Sequence, residues 1–84
     1  MKISFSQKGW DDYQWWVSSG GKALKRLRMV IEDVLRNGYS GIGKPEPLKG
    51  DMSGWWSRRI DDKHRLVYRI ENDTVEINKC KDHY

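Results

Sequence analysis

The spacing of hydrophobic residues changes near the middle of this chain and divides it into a helical part and a strand part. Between Trp10 and Leu35 the apolar residues mostly recur every three or four positions, which is the spacing of one helix face. After Pro47 they come in short alternating runs, which are typical of strands with one buried face. A chain of 84 residues can build one hydrophobic core, so we expect a single domain that spans residues 1–84.

The beginning of the chain predicts a strand followed by a helix. Residues 1–5 alternate apolar and polar side chains, and Ser6 is then placed to cap a helix. This helix is expected to end by Ser19, where Gly20 and Gly21 break the chain. Its apolar residues at helical spacing are Trp10, Tyr13, Trp16 and Val17.

A second, longer helix is predicted over residues 22–36, and Asn37–Gly38 is a typical stop signal after it. Its buried stripe is expected to contain Leu24, Leu27, Ile31, Val34 and Leu35. Its first half carries four cations, Lys22, Lys25, Arg26 and Arg28. These cations form either a solvated helix face or a contact surface for RNA phosphates.

The second half of the chain predicts a sheet. Residues 39–47 are expected to form a loop, and residues 55–60, 65–70 and 74–80 to form strands, with residues 48–52 as a further candidate strand. One sheet face should carry Leu66, Tyr68 and Ile70, and the other Arg65, Val67 and Arg69. This order predicts an α+β fold, in which an N-terminal strand and two helices precede a mainly antiparallel meander.

The composition indicates which kind of partner this protein binds and in which cellular compartment it is found. The net charge of +4 favours a polyanionic partner, of which nucleic acid is the commonest. Cys80 is the only cysteine, so one chain can form neither a disulfide nor a cysteine-based metal site. We expect it to be a half-buried strand residue. Without an apolar run for a signal peptide or a membrane span, the sequence predicts a soluble cytoplasmic protein that binds no membrane.

Several polar residues of the second half are suited to RNA cleavage without a metal. That reaction needs a base for the ribose 2′-hydroxyl, a cation for the phosphate and an acid for the departing 5′-oxygen. Glu46, Arg65 and His83 match these three roles by residue type. Each also has an ordinary structural explanation, and His64 is expected to be structural. Spacing alone therefore leads no further than a basic α+β domain with RNA binding as one option.

Four segments carry a more specific signal: KPEPLK at 44–49, SGWWSRRI at 53–60, HRLVY at 64–68 and the final HY at 83–84. With the WDDY stretch at 10–13, this series closely resembles the YoeB toxins of the RelE superfamily over the whole chain. The resemblance implies a RelE-like, microbial-ribonuclease-like fold. It implies a ribosome-dependent endoribonuclease that cleaves mRNA in the ribosomal A site and needs no cofactor or metal. Implied partners are the ribosome with its rRNA, a YefM-type antitoxin, a second copy of the chain, and operator DNA through the antitoxin complex.

The resemblance also assigns roles to matching positions. The matches are Glu46 as general base, His83 as general acid, Arg65 as the phosphate-stabilising cation, Tyr84 as a substrate-holding residue, and Lys49 and Arg59 as supporting cations. The helix cations Lys25, Arg26 and Arg28 are assigned to RNA contacts. Two positions depart from the best-known relatives: Asp82 stands where an aromatic residue is familiar, and Trp56 where phenylalanine is common. A carboxylate at position 82 would stabilise a charged His83.

Two other functions compete with cleavage. A protein that plugs the ribosome without cutting would share the basic helix and the aromatic residues, but it would not need both Glu46 and His83. A gyrase-poisoning relative of the same superfamily is a third option. Such relatives generally lack the acid–base residues, so the motifs of this chain argue against it.

Overall fold

The computed structural model describes residues 1–83 as a five-stranded sheet with two helices. The elements in chain order are β1 (Lys2–Phe5), α1 (Gln7–Ser19), α2 (Gly21–Asn37), β2 (Glu46–Pro47), a 3₁₀ helix (Gly50–Met52), β3 (Trp56–Arg59), β4 (Arg65–Glu71) and β5 (Thr74–Lys79). The strand order is β1-β5-β4-β3-β2, in which β1 runs parallel to β5 and the other neighbours are antiparallel. The α+β prediction is therefore confirmed.

Ser6 caps α1 as predicted and also attaches it to the sheet. Its hydroxyl oxygen accepts a hydrogen bond from the Gly9 amide at 2.9 Å and donates one to the Asn78 carbonyl at 2.6 Å. Gly9 lies so close to β5 that a β-carbon there would sit 2.6 Å from the Ile77 carbonyl oxygen. Gly20, with φ of 62°, ends α1, and α2 begins at the next residue.

The core lies between the helices and one face of the sheet. Its helical members are Trp16, Leu27, Val30, Ile31 and Val34, and its sheet members include Leu66, Tyr68, Val75 and Ile77. Of the four apolar residues at helical spacing in α1, Trp10 and Val17 are exposed by 45% and 42%. The buried stripe of α1 is instead Gly9, Asp12 and Trp16, since this side of the helix contacts the end of β5.

The segment after residue 45 differs from its prediction. Glu46 and Pro47 form a two-residue strand paired with Ser57 and Trp56, whereas this part was expected to be loop. Residues 48–52 do not form a strand, so that prediction is wrong. The chain turns at Gly50, with φ of 63°, and forms the connection that returns it to β3.

Arg58 is fully buried on the helix side of the sheet. Its guanidinium forms an ion pair with Asp33 of α2, and the hydrogen bond that it donates lowers the pKa of the Asp33 carboxyl. It also donates to the carbonyls of Gly38, Ser40 and Ile42 at 2.7, 2.7 and 3.2 Å. One side chain therefore joins α2, the loop after α2 and the sheet.

Cys80 is fully buried directly after β5, so the expectation of a half-buried strand residue is wrong. The indole of Trp16 donates to the Cys80 carbonyl at 2.6 Å, and the Cys80 amide donates to Asp12 at 3.0 Å. These bonds draw α1 over the cysteine. Burial, with a smaller contribution from the Asp12 carboxylate, raises the pKa of the thiol to about 12.

Replacing Arg58 by methionine is expected to lower the free energy of unfolding by about 3 kcal/mol, because the partly buried Asp33 carboxylate and three loop carbonyls lose a fully buried donor. Arg59→Met is the matched control, since Arg59 is exposed and should change stability by about 0.5 kcal/mol or less. Urea unfolding followed by tryptophan fluorescence measures both variants. Equal losses of stability would contradict this account of Arg58.

Native Cys80 is expected to resist alkylation, because the thiolate is the reactive form and burial keeps the thiol protonated and covered. Iodoacetamide at about pH 8 should label the urea-unfolded chain quickly, where a free thiol has a pKa of about 8.5, and the folded chain slowly. Mass spectrometry of timed samples gives the two rates. Similar rates in both states would show that the cysteine is accessible in the fold.

Candidate functional site

The sheet has a second face, turned away from the helices, and three of the predicted site residues lie on it. Successive residues of a strand point to opposite faces, so Arg59 points away from the side where Arg58 is buried. Arg59 pairs with Arg65 in β4, and cross-strand partners share a face. Glu46 pairs with Ser57, which lies two residues before Arg59 and therefore shares its side. We call this the helix-free face.

The register sets the spacing between the candidate base and the candidate phosphate-binding cation. Glu46 and Arg65 are separated by one intervening strand, and their positions differ by two residues along it. Standard sheet dimensions therefore place their α-carbons about 12 Å apart. A glutamate and an arginine that extend toward each other can span this distance with a phosphodiester between them.

Arg65 is held in place by its own turn. Its Nη1 donates to the carbonyls of Asp61 and His64 at 2.8 and 3.0 Å, and the residue is only 8% exposed. Within residues 1–83, both hydrogen bonds of this guanidinium come from Nη1. A guanidinium has five N–H donors, so the edge formed by Nε and Nη2 can meet a phosphate in a fixed orientation.

The chain end returns to the same region. The Arg65 amide donates to the Asp82 carbonyl at 3.0 Å, so the residue before His83 is attached to the backbone of Arg65. Lys79 shares the helix-free face through its pairing with Val67, and its ammonium donates to the His83 carbonyl at 3.0 Å. The structure thus holds the backbone that leads to exposed His83 against the backbone of Arg65.

Two further expectations concern the chain end. The Asp82 carboxylate lies 3.9 Å from Lys81 Nζ, an ionic contact, and 3.9 Å from His64 Nδ1. Stabilisation of a charged His83 by Asp82 stays a prediction. The predicted substrate-holding residue Tyr84 lies outside the described residues.

His64 is structural, as expected. It is 7% exposed and packs edge-on against the Trp16 ring at 4.9 Å between ring centres. Its Nδ1 atom accepts a hydrogen bond from the Asp82 amide at 2.8 Å.

The helix cations are not part of the helix-free face. Arg26 donates to the Ile60 carbonyl at 3.1 Å, and Arg28 donates to the Tyr13 hydroxyl at 3.3 and 3.2 Å. Lys25 is exposed on the same helix. Arg26 therefore contacts the residue that follows β3, and Arg28 contacts α1. Lys49 is exposed just beyond β2, at the start of the 3₁₀ helix.

Sequence reasoning missed a cation–aromatic pair on the helix-free face. The guanidinium of Arg69 lies 4.5 Å from the centre of the Trp55 ring and is paired with Glu76 across the sheet. The alternation of β4 placed Arg69 on this face, but nothing in the sequence linked it to Trp55. An indole beside cations is a surface on which a nucleobase can stack.

Among residues 1–83, no three histidine, cysteine, aspartate or glutamate side chains are grouped as a metal ion would require. Neither helix in this part of the chain has the length and hydrophobicity needed to cross a membrane.

The sequence matches proteins of one family along its whole length. A family model described as the YoeB-like toxin of bacterial type II toxin–antitoxin systems matches residues 5–84. Toxin YoeB of Streptomyces coelicolor is 51% identical over 84 residues, which is 100% of both chains. Toxin YoeB of Escherichia coli K12 is 44% identical, again over 100% of both.

Solved structures give the same result. A YoeB/ParE toxin from Agrobacterium tumefaciens superposes with a TM-score of 0.95 at 41% identity, covering 100% of both chains. The toxin of a heterotetrameric YoeB–YefM complex from Staphylococcus aureus gives a TM-score of 0.90 at 39% identity, covering 100% of this chain and 98% of that one. Escherichia coli YafQ, at 13% identity and a TM-score of 0.80, shares the fold.

The match to the family model, the full-length relatives and the shared fold agree. This chain belongs to the family of YoeB-like toxins of bacterial type II toxin–antitoxin systems.

Proposed function

We propose that this toxin is a ribosome-dependent endoribonuclease that cleaves mRNA in the ribosomal A site and so stops translation. The observation that carries the proposal is the convergence on the helix-free face. Glu46 and Arg59 share that face with Arg65, and the backbone segment that leads to His83 is bonded to Arg65. Family membership supports the same chemistry.

The proposed reaction is an attack of the ribose 2′-oxygen on the adjacent phosphorus. Glu46 removes the proton of the 2′-hydroxyl, and the new 2′-oxygen–phosphorus bond closes a 2′,3′-cyclic phosphate. The bond from phosphorus to the 5′-oxygen breaks, and His83 protonates that oxygen to give a 5′-hydroxyl. Each acid–base group of this kind contributes roughly 10²–10⁴-fold to the rate.

The cations of the helix-free face stabilise the negative charge that develops on the phosphate during this reaction. The free edge of Arg65 can donate two parallel hydrogen bonds to the phosphate oxygens. Arg59 lies directly opposite Arg65 in the neighbouring strand, and Lys49 lies just beyond β2. A water-poor site with fixed donors stabilises such charge more strongly than bulk water does. Tyr84 completes this proposal as the substrate-holding residue.

The proposed binding partners are based on solved structures of related toxins. The Staphylococcus aureus structures are described as a heterotetrameric YoeB–YefM complex and as a YoeB dimer. We propose that this chain likewise binds a YefM-type antitoxin, forms a homodimer, and reaches operator DNA through the antitoxin complex. Its exposed cations, including Lys25 on α2, would contact rRNA in the cytoplasm.

The test is cleavage of a messenger on purified translating ribosomes, read by primer extension and end-group analysis. The wild type should produce fragments with 5′-hydroxyl ends. Glu46→Gln should reduce the rate by roughly 10²–10⁴-fold, because the amide cannot take the proton. Glu71→Gln, an equivalent change at the exposed end of β4, should leave the rate unchanged.

Three results would contradict the proposal. Full cleavage by Glu46→Gln would remove that residue from its role. Inhibition of translation without messenger fragments would support the alternative, a protein that plugs the ribosome without cutting. Equally fast cleavage of the same RNA without ribosomes would contradict the ribosome dependence.

A further inference from the structure

We propose that His64 is a positioning residue for the reaction, because its Nδ1 atom holds the C-terminal tail, residues 80–83, in the place where His83 acts. The inference rests on the proposed function of His83. The sequence indicates His64 only as a structural residue. The inference adds a defined effect of this buried histidine on the rate of cleavage.

The tail has a first attachment at Cys80. The buried Trp16 indole donates to the Cys80 carbonyl at 2.6 Å, and the Cys80 amide donates to the Asp12 carboxylate at 3.0 Å. This attachment fixes the beginning of the tail against α1. Residues 81–83 follow this attachment in the part of the chain that the structure describes.

The second attachment is at Asp82, next to His83. The Asp82 amide donates to His64 Nδ1 at 2.8 Å, and the Asp82 carbonyl accepts from the Arg65 amide at 3.0 Å. His64 and Arg65, which are neighbours in sequence, therefore bind the amide and the carbonyl of the same tail residue, Asp82. Because the Asp82 carbonyl belongs to the peptide group of His83, these bonds set the direction in which the chain enters His83.

The backbone of Asp82 shows how strongly this attachment directs the chain. Its φ is 61°, in the left-handed region that residues other than glycine seldom adopt. Such a conformation persists where the surrounding bonds fix it. His64 Nδ1 and the Arg65 backbone amide supply those bonds.

His64 is suited to be a rigid acceptor. Its side chain is 9% exposed and packs against the rings of Trp15 and Trp16, at 5.5 and 4.9 Å between centres. Its amide donates to the Asp61 carboxylate at 2.7 Å, and its carbonyl accepts from Ile60 at 3.0 Å. With Nδ1 accepting, the neutral ring carries its hydrogen on Nε2.

Two substitutions separate the hydrogen bond from the packing. In His64→Asn, the side-chain oxygen takes the position of Nδ1 and still accepts, but the ring contacts with the tryptophans are lost. In His64→Leu, the space is filled but the acceptor is absent. The positioning role predicts that the leucine variant loses about 10²-fold in the single-turnover rate, the effect of a displacement of about 1 Å, while the asparagine variant stays near wild type.

The toxin concentration that gives half the maximal rate should be unchanged in both variants, because the cations of the helix-free face are intact. A purely structural role predicts the reverse order, with leucine more active than asparagine. That order, or equal losses in the two variants, would overturn the inference. Circular dichroism checks the folding of each variant, and His64→Met replaces His64→Leu should the leucine variant be unfolded.

Amide hydrogen exchange of the purified toxin gives a readout that does not depend on cleavage. In His64→Leu the Asp82 amide should exchange faster than in wild type or His64→Asn, while the Cys80 amide stays protected by Asp12. Unchanged exchange at Asp82 would overturn the inference whatever the activity. Should the wild type cleave no RNA, the proposed function fails, and the exchange result alone decides whether His64 holds the tail.

Discussion

The buried guanidinium of Arg58 is the interaction on which the arrangement of this toxin depends. It joins Asp33 of α2 to the carbonyls of the loop that follows α2, and its Nε donates to the Tyr68 hydroxyl in the sheet at 3.1 Å. A buried arginine is tolerated only where its donors are satisfied, and here α2, the sheet and three carbonyls of the loop satisfy them. That loop leads directly to β2, so the position of Glu46 at the edge of the sheet depends on it.

Because side chains alternate along a strand, one face of the sheet carries the structural contacts and the other carries the proposed site. Arg58 and Arg59 are neighbours in β3, yet the first is fully buried against the helices and the second is exposed on the helix-free face. The Arg59 amide donates to the Gly43 carbonyl at 2.6 Å. The two segments lie so close here that a β-carbon on residue 43 would sit 2.7 Å from the Arg59 carbonyl oxygen. The strand that anchors the loop therefore also carries a cation of the proposed site, and stability and chemistry are built from adjacent residues.

Periodicity and local signals predicted the helices, the three main strands and the Ser6 cap. They did not predict features that depend on contacts far apart in the chain. The parallel pairing of β1 with β5, the burial of Cys80 under α1 and the exposure of Trp10 all follow from how the elements pack. The left-handed turn at Asp82 was equally hidden, because it is fixed by His64, eighteen residues earlier. The family motif supplied the site residues, and the strand register places three of them, Glu46, Arg59 and Arg65, on one face of the sheet.

The central claim is that RNA binds the helix-free face with its phosphate at Arg65. Its most direct test is an NMR titration of isotope-labelled toxin with a short RNA that carries hydrogen in place of the 2′-hydroxyl at the cleavage position. The account predicts shifts of the side-chain N–H signals of Arg59 and Arg65 and of the His83 ring, with the buried Arg58 signals unchanged. Shifts confined to the α2 cations Lys25, Arg26 and Arg28, with none at Arg65, would contradict it.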